Sequence, residues 1–250
     1  MGRTAGFYEV VDSTNILARE EAQKGAPSGT LIVADRQTAG RGRRGREWKS
    51  PGGTNLYFTL MLKPDFALDK ASMLTLVMAH AVAEAVSRSV PVRPGIKWPN
   101  DIVMDGKKVC GILTEMELKE GRIASVVIGV GINVHRQAFP TELKDRAASL
   151  EQFGTLEISR GALLADIMEV FEADYEAFCR EESLAALRTS YESFLVNKDR
   201  EVCVLDPRGE FRGIARGITD AGELLVELAD KSTVSVYAGE VSVRGIYGYV

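Results

Sequence analysis

Apolar and polar residues alternate along the chain in runs that predict both strands and helices. Short β-prone runs at 7–11, 30–34 and 54–62 predict three strands, and the helix-prone residues 16–24 are stopped by a glycine. Residues 69–88 are apolar almost all round, which predicts a helix buried in the core. The first part of the chain therefore contains both kinds of element.

The dipeptide Asp105-Gly106 stands between two β-prone runs and predicts a two-residue hairpin turn. In the register of that turn, Val103 lies opposite Lys108 and Asp101 lies opposite Cys110. Side chains on a strand alternate between its faces, so the position of Asp101 relative to Lys108 depends on this register.

A second turn near Glu120 brings Ile132 roughly opposite Lys108, with Asn133 beside it. This register predicts that a cation, an anion and an amide meet at one end of a three-stranded meander. They are Lys108, Asp101 and Asn133, and their convergence indicates a site rather than a solvated surface.

The pattern changes towards the C-terminus. Ser159 can cap a helix, a second helix covers roughly 183–195, and beyond them short β-prone runs alternate with turns, the last at 240–244. Short strands in such close succession are typical of a small β-barrel. We therefore predict two domains, residues 1–196 and residues 197–250.

Composition limits the classes of function that the chain can have. It has 250 residues, 45% hydrophobic and 26% charged, which is ordinary for a globular protein. A formal net charge of −4 argues against a general nucleic-acid binder. No apolar run approaches the roughly 18 residues of a membrane span, and no apolar segment follows the first residues. We therefore expect a cytoplasmic protein with no membrane partner.

Cysteine and histidine are too few and too scattered for a structural metal site. The cysteines are Cys110, Cys179 and Cys203, none of them in a Cys-x-x-Cys pair, and only His80 and His135 could assist. We expect free, buried thiols in a reducing compartment and no metal held by histidine or cysteine. We also expect His80 to be a hydrogen-bonded core residue.

Residues 40–53 hold five glycines, four arginines and one tryptophan, and we call residues 40–47 the arginine loop. Its glycines let the backbone approach a ligand closely, and its arginines present planar forks of donors to phosphate or carboxylate. Trp48 offers a flat face on which a base can stack. The pattern predicts an anion-binding loop, with a solvated basic turn and a nucleic-acid contact as alternatives.

The first predicted helix is preceded by the polar residues Ser13-Thr14-Asn15. Ser13 is a suitable N-cap, and a helix N-terminus also presents backbone N–H groups to a polar ligand. Taken alone, simple capping is the better explanation of these residues.

Five segments resemble, in order and spacing, the biotin protein ligases, also called biotin–[acetyl-CoA-carboxylase] ligases. The small C-terminal barrel matches as well, so the resemblance covers nearly the whole chain. The arginine loop followed by Lys-Trp-Pro-Asn-Asp is highly specific as a pair. The segments are Ser13-Thr14-Asn15, residues 37–48, Lys97-Trp98-Pro99-Asn100-Asp101, residues 108–113 and residues 129–133.

The resemblance implies an α+β fold, a mixed β-sheet with flanking helices similar to the catalytic domains of class II aminoacyl-tRNA synthetases. It also implies a two-step reaction. Biotin and Mg²⁺-ATP give biotinyl-5′-AMP and pyrophosphate, and a lysine of a biotin carboxyl carrier protein domain then takes the biotin. ATP and Mg²⁺ are expected as co-substrates, without a tightly bound prosthetic group.

The resemblance carries further expectations about partners. Some members of the family also repress transcription, but no helix-turn-helix precedes residue 7 here, so no specific DNA partner is expected. Edge strands in this family often pair into dimers, which allows a homodimer for this chain.

The resemblance also assigns roles to single residues. Biotin contacts are expected from Ser13, Thr14, Asn15, Gln37, Arg41, Gly42, Arg43 and Lys108. Contacts to ATP or to the adenylate are expected from Arg43, Trp48, Asn100, Lys108 and Asn133, with Trp48 as the platform for adenine. The expected catalytic residues are Lys108, Arg41, Arg43 and Asp101. Asp101 could assist the incoming amine or a magnesium ion, and the sequence leaves both roles open.

Two other readings compete with a biotin ligase. Lipoate ligases share the architecture and the acyl-adenylate chemistry, but their signature lacks this arginine loop. A non-enzymatic nucleic-acid-binding module would use residues 41–49 as a phosphate contact, yet it leaves residues 97–101 and Asn133 without a role.

We predict that the arginine loop is disordered until a ligand anion screens its row of like charges. Ordering it costs about 1–2 kcal/mol per residue, so closure depends on contacts that the ligand supplies. Trypsin should therefore cut residues 40–47 quickly in the free protein, and biotin plus ATP should protect them.

The same gate model predicts that Arg43→Gly still forms the adenylate but releases it faster, so that it tags lysines on bystander proteins. Equally slow cleavage with and without ligand, together with parent-like retention of adenylate by Arg43→Gly, would show that the loop is a rigid binding element.

Overall fold

The computed structural model describes residues 1–206, 209–238 and 242–245, and its larger sheet has seven strands. Their order across the sheet is β1-β2-β3-β7-β6-β5-β4; β1 and β2 are parallel, and all other neighbours are antiparallel. The strands are β1 (Ala5–Val11), β2 (Thr30–Gln37), β3 (Asn55–Leu62), β4 (Gly95–Lys97), β5 (Asp101–Met104), β6 (Lys107–Lys119) and β7 (Arg122–Asn133).

Helices cover both faces of this sheet. On one face, α1 (Thr14–Gln23) closes a small core with Ala18, Ile32, Met61 and Val127. On the other lie α2 (Leu74–Ser89), α3 (Arg160–Glu181) and α4 (Ala185–Phe194), over the main core. All eight positions of β3 are buried because both of its faces are covered. The mixed α+β fold is thus confirmed.

The predicted core helix differs at its start. Residues Leu68–Met73 form a 3₁₀ segment, and the α-helix begins only at Leu74. Ser159 caps α3 as predicted, because its hydroxyl accepts a hydrogen bond from the backbone N–H of Ala162. His80 is a hydrogen-bonded core residue as predicted: Nδ1 lies 2.7 Å from Asp174 Oδ2 and Nε2 lies 2.8 Å from Ser190 Oγ.

The hairpin register is partly wrong in the sequence-based prediction. Val103 does lie opposite Lys108, but Ile102 lies opposite Cys110 and Asp101 lies opposite Gly111. One extra residue, Val109, is therefore accommodated in β6 as a β-bulge. The bulge reverses the alternation of faces along β6 beyond that point.

The second predicted register is shifted by two residues, so that Cys110, and not Lys108, lies opposite Ile132. One residue of the shift arises because the turn is formed by Glu120 and Gly121 together, and the other because an irregularity interrupts the pairing of β6 and β7 after Glu117. Lys108 instead forms a parallel bridge with Ala147.

The C-terminal strands form a second, antiparallel sheet in the order β11-β10-β9-β8-β12. Trp98 ties it to the first sheet, since its Nε1 donates to Gly222 O at 3.0 Å. The strands are β8 (Glu201–Asp206), β9 (Gly209–Ile218), β10 (Leu224–Glu227), β11 (Thr233–Val236) and β12 (Ser242–Gly245).

Part of the last predicted strand, at 240–241, lies outside the described residues. Closure into a barrel and the domain boundary at Val196 stay predictions. Within the described ranges, no helix is both long enough and apolar enough to cross a membrane.

Candidate active site

A cavity opens between the start of α1, the arginine loop and the ends of β6 and β7. With the loop in this conformation its volume is about 50 Å³, space for only a few water molecules. It is lined by Ser13, Thr14, Asn15, Gln37, Arg41, Gly42, Arg43, Trp48, Asn100, Lys108, Gly111, Ile112, Leu113, Gly129, Val130 and Gly131.

The start of α1 is held by Gln37 from β2. Gln37 Oε1 accepts from Thr14 N at 2.9 Å and from Thr14 Oγ1 at 3.1 Å, and its Nε2 donates to Ser50 Oγ at 2.9 Å. Ser13 occupies the N-cap position, but its side chain makes no capping hydrogen bond. Simple capping by the Ser13 side chain therefore does not explain this residue at the cavity wall.

Asn15 is fixed at the cavity wall by protein partners. Its Nδ2 donates to Leu113 O at 3.2 Å and to Glu115 Oε2 at 2.8 Å, and its Oδ1 accepts from Thr59 Oγ1 at 2.7 Å. A Cβ at Gly129 would overlap the Asn15 amide. The glycine on β7 thus leaves the space that this amide fills.

Trp48 lies on two further glycines that pair across β6 and β7. Gly111 and Gly131 are opposite each other, and a Cβ at Gly131 would overlap the Trp48 indole. Trp48 Nε1 is buried, and it has no hydrogen-bond partner among the described residues. The indole is therefore positioned by packing on the two glycines and not by a hydrogen bond from its N–H group.

Lys108 contacts both the carboxylate of Asp101 and the ring of Trp48. Its Nζ lies 2.6 Å from Asp101 Oδ1 and 5.1 Å from the centre of the Trp48 ring. Its aliphatic stem crosses Gly111, where a Cβ would come within 3.0 Å of Lys108 Cε. Lys108 and Asp101 are mostly buried, with side-chain exposures of 22% and 14%, so water screens this pair less than a surface pair.

The arginine loop has a compact conformation. Trp48 N donates to Gly40 O at 2.9 Å, Gly42 N donates to Arg46 O at 2.7 Å, and a bridge joins Arg41 to Glu47. Only glycine fits at position 40, because a Cβ there would overlap Trp48 O. Loop closure that depends on ligand stays a prediction.

Two arginines of the loop bind protein acceptors around the cavity. Arg41 Nη2 donates to Glu115 Oε2 at 3.2 Å. Arg43 Nη1 donates to Asn100 Oδ1 at 3.1 Å, and its Nη2 donates to Ala238 O, beyond the end of β11, at 2.6 Å. Burial lowers the pKa of the Arg43 guanidinium, and the negative charge of Asp101 acts in the opposite direction. Arg43 is thus a cation partly withdrawn from water.

The structure gathers ten of the residues predicted for the site around this one cavity; they are Ser13, Thr14, Asn15, Gln37, Arg41, Gly42, Arg43, Trp48, Asn100 and Lys108. Asp101 is not among the lining residues, but it forms an ion pair with Lys108, which is. Asn133 is buried two residues beyond Gly131, and its Nδ2 donates to Ala148 O at 3.2 Å.

Sequence reasoning missed Glu115 and the reason for the glycines. Glycine at alternate positions 129 and 131 of a β-prone run was a usable signal, since alternate residues share one face. Glu115 gave no such signal, because it lies just beyond the segment 108–113.

The described residues contain no group of three or more His, Cys, Asp or Glu side chains that could hold a metal ion. Cys110, Cys179 and Cys203 are free thiols as predicted, but only Cys110 is buried; Cys179 is exposed and Cys203 is half-buried, so their predicted burial was wrong. Burial raises the pKa of the Cys110 thiol, so this cysteine is a poor nucleophile.

Comparison with family models assigns both parts of the chain. Residues 7–133 match the biotin/lipoate A/B protein ligase family, and residues 199–244 match the biotin protein ligase C terminal domain.

Individual relatives agree with these assignments. The bifunctional ligase/repressor BirA of Bacillus subtilis is 40% identical over 243 residues, which cover 96% of this chain and 74% of the relative. The biotin–[acetyl-CoA-carboxylase] ligase of Mycobacterium tuberculosis is 32% identical, with 92% and 85% covered. The structure of biotin protein ligase from Aquifex aeolicus in complex with biotin and ATP superposes with a TM-score of 0.84 at 31% identity, covering 97% of this chain and 99% of that one.

Gly131→Ala should displace the Trp48 indole, because the added methyl group overlaps it while the backbone conformation of β7 accepts alanine. We expect a shift of tryptophan emission to longer wavelength as the ring moves towards water. Gly161→Ala is the matched control, since its Cβ would come no closer than 3.9 Å to Ser159 Oγ. Identical emission spectra of the parent and Gly131→Ala would contradict this seating of the ring.

Proposed function

The chain belongs to the biotin protein ligase family, and from this membership we propose that the cavity under the arginine loop carries out both half-reactions of the ligase. The protein is an ATP-dependent biotin ligase. It activates biotin as biotinyl-5′-AMP with release of pyrophosphate, and it transfers the biotin to a protein lysine.

The observation that carries the proposal is a cluster of cations in an acidic protein. Arg41, Arg43 and Lys108 line one cavity of a chain whose net charge is −4. In the first half-reaction a carboxylate oxygen of biotin attacks the α-phosphorus of ATP, and the bond to pyrophosphate breaks. Two anions must approach each other, so preorganised cations offset their repulsion and stabilise the charge that develops.

The start of α1 and Gln37 form the proposed biotin end of the cavity. Ser13, Thr14 and Asn15 are buried there, and hydroxyl and amide groups at a helix N-terminus suit a neutral polar ring. Arg41, Gly42 and Arg43 cover it from the loop side and reach the carboxylate. Because Asn15 already bonds Leu113, Glu115 and Thr59, its proposed contribution is to shape this wall.

The other end is the proposed nucleotide site. Trp48 offers its ring face to adenine, with Lys108 between the ring and the reacting phosphate. Asn100 holds Arg43 at this point, and Asn133 is proposed near the adenine. ATP arrives with Mg²⁺ as its counter-ion, as a substrate and not as a resident metal.

In the second half-reaction the lysine nitrogen attacks the carbonyl carbon of the mixed anhydride. The C–N bond forms, the bond to AMP breaks, and the nitrogen loses a proton. Asp101 forms an ion pair with Lys108, and we propose that its carboxylate orients the amine of the incoming substrate lysine. The closed loop excludes water, which would otherwise hydrolyse the adenylate.

The proposed protein partner is a biotin carboxyl carrier protein domain of a biotin-dependent carboxylase. Homodimer formation, the absence of a specific DNA partner and a cytoplasmic location stay predictions.

A lipoate ligase is not favoured. The family model for residues 7–133 covers biotin and lipoate enzymes alike, but the model for residues 199–244 is specific to biotin protein ligases. The nucleic-acid module is not favoured either, because Arg41 and Arg43 bind Glu115, Asn100 and Ala238 around a cavity.

Exchange of radiolabelled pyrophosphate into ATP tests the proposal directly. Biotin should stimulate exchange, and lipoate should not. Addition of a carrier domain should then give biotinylation of one lysine. Stimulation by lipoate alone would favour the alternative ligase, and no stimulation by either acid would overturn the proposal.

Lys108→Ala should slow biotin-dependent pyrophosphate exchange by about tenfold or more, because a contact between charged groups is worth about 1.5–3 kcal/mol. Lys107→Ala is the matched control, since in the described part of the chain Lys107 Nζ reaches only Lys144 O, at 3.5 Å. Parent-like exchange in Lys108→Ala would remove Lys108 from the site.

A further inference from the structure

Glu115 connects two parts of the cavity that are far apart in sequence. One carboxylate oxygen, Oε2, accepts from Arg41 Nη2 at 3.2 Å and from Asn15 Nδ2 at 2.8 Å. Arg41 belongs to the arginine loop and Asn15 to the start of α1. A single acceptor oxygen therefore connects the arginine loop to the wall of the cavity.

The β-bulge in β6 places Glu115 on the cavity side of the sheet. Beyond the extra residue, Gly111, Leu113 and Glu115 alternate onto one face, while Cys110 and Ile112 point into the core. Pairing with β5 ends at Gly111, so at Glu115 the strand is paired only with β7, through Val127, and its other edge has no strand beside it among the described residues.

The carboxylate of Glu115 offsets part of the positive charge of the arginine loop. Residues 41–47 contain four arginines, which repel one another, and a single acid, Glu47. Glu47 forms an ion pair with Lys49 at 2.8 Å. Glu115 supplies a negative charge from outside the loop. The pair is only partly exposed, with side-chain exposures of 38% for Arg41 and 25% for Glu115, so solvent and salt screen it incompletely.

We infer that Glu115 is a positioning residue, a latch that raises the ordered fraction of the arginine loop before substrate binds and so opposes the disorder predicted from its like charges, an inference that rests on the proposed ligase function. The latch contributes part of the free energy of loop ordering, so less of it has to come from ligand binding. Loss of the latch therefore weakens apparent biotin affinity and retention of the adenylate, while the chemical step keeps its cations.

Glu115→Gln isolates the charge, because glutamine keeps an oxygen that can accept from Asn15 Nδ2 but loses the ion pair with Arg41. Hydrogen–deuterium exchange at residues 40–48 of the free protein should become about two- to fivefold faster, the range that partly exposed ion pairs give. The KM for biotin in pyrophosphate exchange should rise by a similar factor, with kcat nearly unchanged.

Glu117→Gln is the matched control. Glu117 lies two positions further along β6 and accepts from Gln23 Nε2 at 3.3 Å, on α1, outside the loop. This variant should exchange at residues 40–48 as the parent does.

A double-mutant cycle in the exchange experiment then tests the pair itself. Arg41→Gln should also speed loop exchange, and adding Glu115→Gln to it should have no further effect. Additive effects, or a Glu115→Gln variant with parent-like loop exchange, would overturn the latch. Loop exchange is measured without substrate, so a negative result there contradicts the latch alone. Failure of the ligase proposal would show separately, as pyrophosphate exchange in the parent that biotin does not stimulate.

Discussion

The alternation of side chains along β6 is the constraint on which the site depends. A regular strand would place Lys108 on the same face as Cys110 and Ile112, in the hydrophobic core. The extra residue Val109 reverses that alternation, so Lys108 shares a face with Gly111 instead. The ion pair with Asp101 and the contact with the Trp48 ring both follow from this one irregularity.

Each cation of the site is already matched to a protein acceptor. Lys108 binds Asp101, Arg41 binds Glu115, and Arg43 binds Asn100 together with Ala238 O. Such pairing lets a cluster of positive charge exist at the boundary of the protein without strong self-repulsion.

Periodicity in the sequence was sufficient for most elements, because strands such as β3 and helices such as α3 repeat their apolar positions over several turns or pleats. The motifs likewise indicated most of the cavity residues. The register of Asp101 was not predictable, since a bulge that adds Val109 leaves no mark in a local pattern of β-prone residues. The contact between Arg43 and Ala238 spans 195 positions of sequence and depends on how two sheets pack.

The acceptor that Ala238 offers to Arg43 is a main-chain carbonyl. Exchange of the side chain at position 238 leaves this acceptor in the chain, whereas exchange of Glu115 removes its carboxylate. The contact with Ala238 depends instead on where the C-terminal sheet lies, so the loop and that sheet are coupled, and the coupling free energy is the same in both directions. The arginine loop and the chain just beyond β11 are therefore linked through one guanidinium group.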